Sequence, residues 1–529
     1  MVTATPSPCK PDWNQKLPPV LKKYDPVVEV SFPFPNWAQF PPGYDYTNNP
    51  FYNFVVQEMG LKYTVHTQTG ENLIASIAAG NPPDFFVVSD PAFNKLIDDG
   101  ALAEIRDIWE KTATQECKEI HNYPNGKNWI HCRRGDKLYG LDLGITDKVF
   151  CGISWIRKDW LEKAGMSMPK TIGDWDKALH AFKDQKLSKY GLTAGKDLFH
   201  WGHNTDKIFG AYGVMPKYWR NYGDGKLRYD SLTPAVKDVL ALLSKWYKDE
   251  LLAPDFYTFD WTKGFDQFDA EEVGIITAAP MFMTSRIVGV ERLHSGAAVS
   301  TMPLPAGPEG KIGRNWTSPV FHAWVYRKGI EPIKVEATIN HLNWERFYHI
   351  HGPEDAYQCY GPLDDMGSDG LFLQGYDWDF NAKCEIERGK FSTGDGMMDV
   401  GYKHATYPGY QRHADINRQK LRRMDPAKLN TAQKFLIADQ GLRRQEEAYE
   451  VLFTEEAKYE IANEWLGINT ERMNKLLPDL TTMEDEYFMS IIIGNRPLSD
   501  FDKFVSEWHK NGGDDVTADV NAWYAQQPK

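Results

Sequence analysis

The chain has few cysteines for its length, no long apolar run, no excess of positive charge and none of the short motifs that mark many enzymes. Six cysteines in 529 residues, at positions 9, 117, 132, 151, 359 and 384, show no CxxC or zinc-type spacing. Their even number suits up to three disulfides in an oxidising compartment, and Cys117 with Cys132 and Cys359 with Cys384 are the expected pairs. Nowhere do about 18 apolar residues follow one another, which excludes a membrane-spanning helix. Sixty Lys plus Arg stand against 73 Asp plus Glu, a net charge of −13, which argues against a broad nucleic-acid surface. GxxxxGK[ST], GxGxxG behind a strand, GxSxG and HExxH are all absent, so no nucleotide, serine-nucleophile or zinc-hydrolase site is indicated. The opening "MVTATPSPCKPDW" lacks the charged start and apolar stretch of a secretory leader and reads as part of a flexible tether, residues 1–24.

Aromatic residues are plentiful: 18 Trp, 26 Tyr and 27 Phe. Most belong in cores, and a minority are available as flat apolar faces for a ligand. Alternation in "PVVEVSFPF" predicts a strand, "NNPFYNFVVQEMG" a helix closed by Gly60, "LKYTVHTQ" a strand, "GENLIASIAAG" a helix and "DFFVVSD" a strand. This βαβαβ order implies an α/β fold with a parallel sheet, and "DFFVV" reads as a strand covered on both faces. Ligands of such sheets bind beyond the carboxyl ends of the strands, which puts Ser89 and Asp90 at a candidate site. Asp90 serves equally well as a helix cap, with Pro91 ending the strand and Phe93 to Ile97 restarting the chain as a helix.

Further along, a strand is expected at Cys151 to Ile156. A helix follows in "TIGDWDKALHAFK", with Thr171 as N-cap and Trp175, Ala178, Leu179 and Phe182 on one face. "TPAVKDVLALLSKWYKDELL" predicts a helix with Val236, Val239, Leu240, Leu243 and Trp246 along its stripe. "VGIITA" and "PVFHAWVYRKG" read as strands and "KVEATINHLNWERFY" as a helix. Residues 352 to 416 show weak periodicity and read as loops, and the chain is largely helical from 430 onward.

His200 and His203 in "HWGH" stand one turn apart and could ligate a metal on a helix, but no third ligand is near. Asp269 with Glu271 and Glu272, or Asp364 with Asp365, could supply a glycosidase acid and base, although such clusters are more often solvated surface. "DDMGSDG" lacks the distal Glu of a calcium loop and reads as a turn.

Several blocks in succession resemble one family. "GNPPDFFVVSDPAFNKLIDDGALAEI", "LYGLDLGITDKVFCGISWIRKDWLEKAG" with "PKTIGDWDKALHAFK", then "VGIITAAPMF", "AWVYRKGIEPIKVEATINHLNW" and "NRPLSDFDKFVSEWHKNGG" are similar to blocks of the extracellular solute-binding proteins of family 1. Those are sugar-binding components of bacterial ABC importers, and the likeness is to the larger lipoprotein and alginate-binding type. The resemblance implies an α/β, two-lobed periplasmic-binding-protein fold of type II. Each lobe is expected as a mainly parallel sheet flanked by helices, with a hinge and a ligand cleft. The expected lobes are 25–148 with 318–375, and 149–317 with 376–529.

By the same resemblance, ligand contacts fall on Ser89, Asp90, Lys148, Phe150, His200, Trp201, Met281, Phe282, Tyr407 and Tyr410, with Trp37 at the same rim. No catalytic residue, metal or cofactor is implied. Larger members often carry a calcium loop after the "AFK" helix; here it is contracted to "AFKDQKLSKYGLTAG", with Asp184 its one carboxylate. Trp37, Trp201, Phe282 and Tyr410 would stack on sugar faces while Asp90, Lys148 and His200 pair with hydroxyls. The expected ligand is an oligosaccharide, a neutral one given the acidic net charge, unless Lys148 or Arg314 offers a local positive patch. The expected partners are the membrane permease subunits of an ABC importer. The protein is expected to be a monomer, extracellular or periplasmic and membrane-anchored or free. A glycoside hydrolase and a carbohydrate-binding surface protein without a transporter are the rival readings.

Overall fold

The computed structural model describes residues 22–33, 47, 52, 55–66, 71–121, 129–142, 152–200, 202–280, 287–316, 322–351, 378–379, 384–385, 425–428 and 440–527. Alternation shapes the first strand: Val28, Val30 and Phe32 of β1 (Val28–Phe32) are buried while Glu29 faces water. β1 pairs in parallel with β2 (Leu61–Val65), and α1 (Glu71–Ala78) leads to β3 (Phe85–Ser89). The next helix, α2 (Asp90–Asp98), begins directly after Ser89, so Pro91 lies in its first turn instead of breaking the chain ahead of it. The first N–H groups of a helix need no partner within it, and a proline there costs nothing.

After β4 (Gly140–Asp142) the chain enters its second unit with β5 (Ile153–Arg157), buried at every residue. Then come α3 (Ile172–Asp184), β6 (Phe199–His200), β7 (His203–Asn204), α4 (Asp206–Ala211), β8 (Trp219–Asn221), β9 (Leu227–Tyr229) and α5 (Pro234–Lys248). These are followed by α6 (Trp261–Asp269), β10 (Ile275–Ala278), β11 (Val299–Thr301) and β12 (Arg314–Trp316). The first unit resumes with β13 (His322–Tyr326) and α7 (Pro332–His351); the second closes with β14 (Glu460–Ala462), α8 (Glu471–Ile492), α9 (Asp500–Trp508) and α10 (Asp514–Tyr524). The two compact units are Met1–Thr146 with Pro319–Asp439, and Asp147–Ser318 with Gln440–Lys529. The final return therefore falls at Gln440, where the sequence reading places it at 376.

The α/β class stands, but strand direction differs from the mainly parallel sheets expected. β1 and β2 are parallel, whereas β13 runs antiparallel between β3 and β4, and β5 runs antiparallel between β10 and β11. The cause is the route of the chain. β13 and β5 each enter their unit from the other one, at the end where a neighbouring strand finishes, so each must run against that neighbour.

The second unit owes its core to its helices. Thr171 and Asp174 form a reciprocal capping box that starts α3, and Trp175, Ala178, Leu179 and Phe182 are buried along it. Val236, Val239, Leu240 and Leu243 of α5 are at most 1% exposed, each worth about 1.5–3 kcal/mol of burial. Phe488 of α8 and Phe504 and Trp508 of α9 complete the same core. Past α3, Lys186 (φ 58°) closes the helix, with Leu187 N donating to Phe182 O at 2.8 Å, so the segment after α3 is a helix-ending turn. Cys117 and Cys132 are both buried and no disulfide joins them, against the expected pairing; burial as small apolar side chains takes the place of the cross-link. Cys359 lies outside the described residues.

Candidate functional site

In the second unit the antiparallel pairing of β5 with β10 brings Ile153, at the start of one strand, opposite Ala278, at the end of the other. The β6–β7 hairpin packs on that same end: a methyl group at Gly152 would stand 2.8 Å from Thr277 Cγ2 and 3.7 Å from Asn204 Cβ. On its far side the hairpin meets the start of α6, where a methyl group at Gly202 would stand 3.1 Å from Trp261 Cβ and 3.3 Å from the Phe265 ring. Close approach of these segments needs both glycines. Four pieces of chain thus converge on one edge: 152–153, the hairpin, 277–280 and 261–265.

The hairpin is held from beneath. Thr205 donates to Leu198 O through both its N–H (2.9 Å) and its hydroxyl (2.7 Å), and Asp197 accepts from Phe199 N at 2.9 Å. His203 is 1% exposed, its Nε2 3.1 Å from Asp197 O. His200 and His203 are cross-strand partners in a tight turn. The metal arrangement considered for a helix is therefore ruled out there, because residues paired across a hairpin do not stack along a helix face.

Sequence reasoning missed Trp261. Asp260 caps α6, accepting from Thr262 N (3.0 Å) and Lys263 N (3.3 Å), and this fixes Trp261 in the first turn. Its ring meets the buried Phe265 edge-on at 6.3 Å and remains partly exposed beside the hairpin. The capping triplet Asp260-Trp261-Thr262 was the available signal, since a cap marks where an element, and with it an aromatic side chain, reaches a rim.

In the first unit β13 pairs His322 with Ser89 and Ala323 with Asp142. Ser89, Asp142 and His322 therefore share one end of the sheet, and Asp90 follows directly. Asp142 and His322 were not singled out from sequence. Asp84 stands at the other end of β3. Its carboxylate accepts from Ser31 N (3.1 Å), Arg327 Nε (2.9 Å) and Lys334 Nζ (2.9 Å). Burial would raise its pKa, yet these partners outweigh burial and hold it below the usual carboxylate range.

Of the expected contacts, Ser89, Asp90 and His200 are placed by their backbone, while Trp37, Lys148, Phe150, Trp201, Met281, Phe282, Tyr407 and Tyr410 lie outside the described residues. Described neighbours of Phe150, Trp201 and Met281 meet at the hairpin edge; Ser89 and Asp90 belong to the other unit. The carboxylates weighed as a glycosidase pair are elsewhere. Glu271 binds Arg157 Nη1 at 2.7 Å and lies 3.1 Å from His294 Nδ1, at the end of β5 opposite the hairpin. Asp364 and Asp365 are outside the described residues. No group of three or more His, Cys, Asp or Glu is arranged for a metal among the described residues.

Two α/β units between which the chain passes three times have the architecture of a solute-binding protein of the two-lobed class. Residues 57–326 match the family model of the bacterial extracellular solute-binding proteins, and the chain belongs to that family. The polygalacturonan/rhamnogalacturonan-binding protein YtcQ of Bacillus subtilis (strain 168) is 24% identical over 495 residues, covering 89% of this chain and 86% of its own. Lipoprotein LipO of the same organism is 30% identical over 215 residues, 38% of this chain and 40% of its own. Among solved structures, the S. pneumoniae substrate-binding protein FusA in complex with kestose superposes with a TM-score of 0.62 at 16% identity, over 94% of this chain and 99% of that one.

Proposed function

We propose that this protein captures an oligosaccharide outside the cytoplasmic membrane and passes it, chemically unchanged, to the permease subunits of an ABC importer. The observation that carries this reading is the meeting of the β6–β7 hairpin, the start of β5, the end of β10 and the Trp261 face at one edge. Sugars show flat C–H faces rimmed by hydroxyls, and an aromatic face beside polar strand ends suits them. YtcQ, whose name gives galacturonan ligands, and FusA, solved with kestose, are relatives in keeping with it. Met281 and Phe282, reached from β10, and His200 and Trp201 in the hairpin are the contacts proposed in this unit. Ser89, Asp90 and, beside them, Trp37 are proposed in the other. Lys148 and Phe150 are proposed on the passage between them, and Tyr407 and Tyr410 complete the set.

Glu271, one of the carboxylates weighed for a hydrolase, is committed to Arg157 at the far end of the strand, in keeping with release of the ligand unchanged. No helix among the described residues is long and apolar enough to cross a membrane, in keeping with a body outside the membrane, free or lipid-anchored as LipO is named. The protein acts as a monomer, and its two units draw together on the ligand, shifting population only by the differential affinity of the ligand for the closed form.

The test is a thermal-shift screen of oligosaccharides, neutral fructans and galacturonans alike, followed by chromatography of the recovered glycan. Stabilisation grows as RT ln(1 + [L]/Kd), so ligand at about 100 times Kd adds about 2.7 kcal/mol. A ligand that stabilises and is recovered at full length supports the reading; a shortened one makes the protein a hydrolase.

A further inference from the structure

Immediately behind the hairpin lie four fully buried charged side chains of the second unit. Asp206 and Lys207 begin α4, Arg314 lies in β12 and Glu456 precedes β14; they are 0%, 1%, 0% and 2% exposed. Lys207 Nζ donates to Asp206 Oδ2 at 2.7 Å, and the same oxygen accepts from Asn315 N in β12 at 3.2 Å. Arg314 Nη1 stands 3.4 Å from Glu456 Oε2, and β12 pairs in parallel with β14. The hairpin joins this group without slack: Asn204 Oδ1, in β7, accepts from Asp206 N at 2.8 Å. Backbone contact reinforces the join, because a methyl group at Gly210 of α4 would collide with Gly313 O.

Burying four ions costs several kcal/mol each before pairing, and apolar side chains of similar volume would hold three segments together at lower cost. What a buried, paired ion group adds to apolar packing is directional contacts that favour one register. The segments joined are the ligand hairpin, the strand from which the chain leaves this unit at Ser318, and the segment by which it returns after Gln440.

We propose that Asp206, Lys207, Arg314 and Glu456 are positioning residues for ligand binding, fixing the β6–β7 hairpin against the two segments that lead out of and back into its unit. None of the four touches the ligand. The inference rests on the hairpin's part in the proposed function.

The experiment compares the wild type with Asp206→Asn/Lys207→Met, which removes one acid and one base together and leaves Arg314 and Glu456 paired. Ligand affinity is measured by calorimetry with the oligosaccharide chosen in the thermal screen, fold stability by Tm, and hairpin mobility by amide exchange at residues 199–204 in the ligand-free protein. The expected result is a Kd raised at least tenfold, faster exchange at 199–204 and a Tm within a few degrees of wild type, with Lys207→Arg binding within twofold of wild type. A lowered Tm with unchanged Kd and unchanged exchange in the hairpin shows a merely structural role and overturns the proposal. Should the double variant not fold, Glu456→Gln carries the same comparison with the same two outcomes. If the wild type binds no oligosaccharide, the proposed function fails, while the exchange arm still decides whether the four charges set the hairpin.

Discussion

Glu484 shows how a single side chain writes a pH dependence into the fold. It is fully buried on α8 and accepts hydrogen bonds from Tyr229 Oη and Ser231 Oγ, both at 2.8 Å. Burial pushes its pKa from 4.5 up to about 7, although Lys217, Ser231 and Tyr229 favour the ionised form; Asp485 works against it. The folded protein therefore keeps a proton that the unfolded chain has lost between those values. The stability this group contributes is full below about pH 4.5 and is lost as pH rises through about 7, a difference of about 3 kcal/mol. Glu484→Gln removes the titration, so denaturant unfolding at pH 5 and pH 8 will show the variant gaining on the wild type as pH rises. Parallel profiles would mean that the carboxylate is already stabilised as an ion. Trp261 carries the other prediction at this scale: Trp261→Ala will weaken oligosaccharide binding by about 1–3 kcal/mol, the worth of one aromatic stacking face in a site. Unchanged affinity by calorimetry would remove it from the site.

Elements were legible where one physical rule acted alone. In α3 the side chain of Thr171 accepts from Asp174 N at 3.0 Å, and the buried face follows the sequence period. Thr171→Ala will cost about 1 kcal/mol in denaturant unfolding, the usual worth of an N-cap. A loss within a few tenths would show that α3 is fixed by its core contacts alone. α5 and β10 were equally readable from their apolar spacing. Pro91 was misread because the same residue ends a strand and opens a helix, and only the immediate start of α2 distinguishes the two. β12 and β14 escaped notice because each is three residues long, too short for a period, and they exist only through their mutual pairing. The buried charges behind the hairpin were hidden for a related reason: Asp206, Arg314 and Glu456 are far apart in the chain, and charge in sequence normally means surface.

For the whole molecule, the α/β class was within reach of the sequence, whereas strand direction was not. A strand entering from the other unit carries no local mark of its orientation, so β5 and β13 could be placed but not pointed. The most direct test is amide hydrogen exchange by mass spectrometry, with and without the oligosaccharide that binds. Protection is predicted at residues 150–156, 199–204, 261–265 and 275–282. Protection confined to the opposite end, around 269–272 and His294, with those four stretches unchanged, would contradict the account.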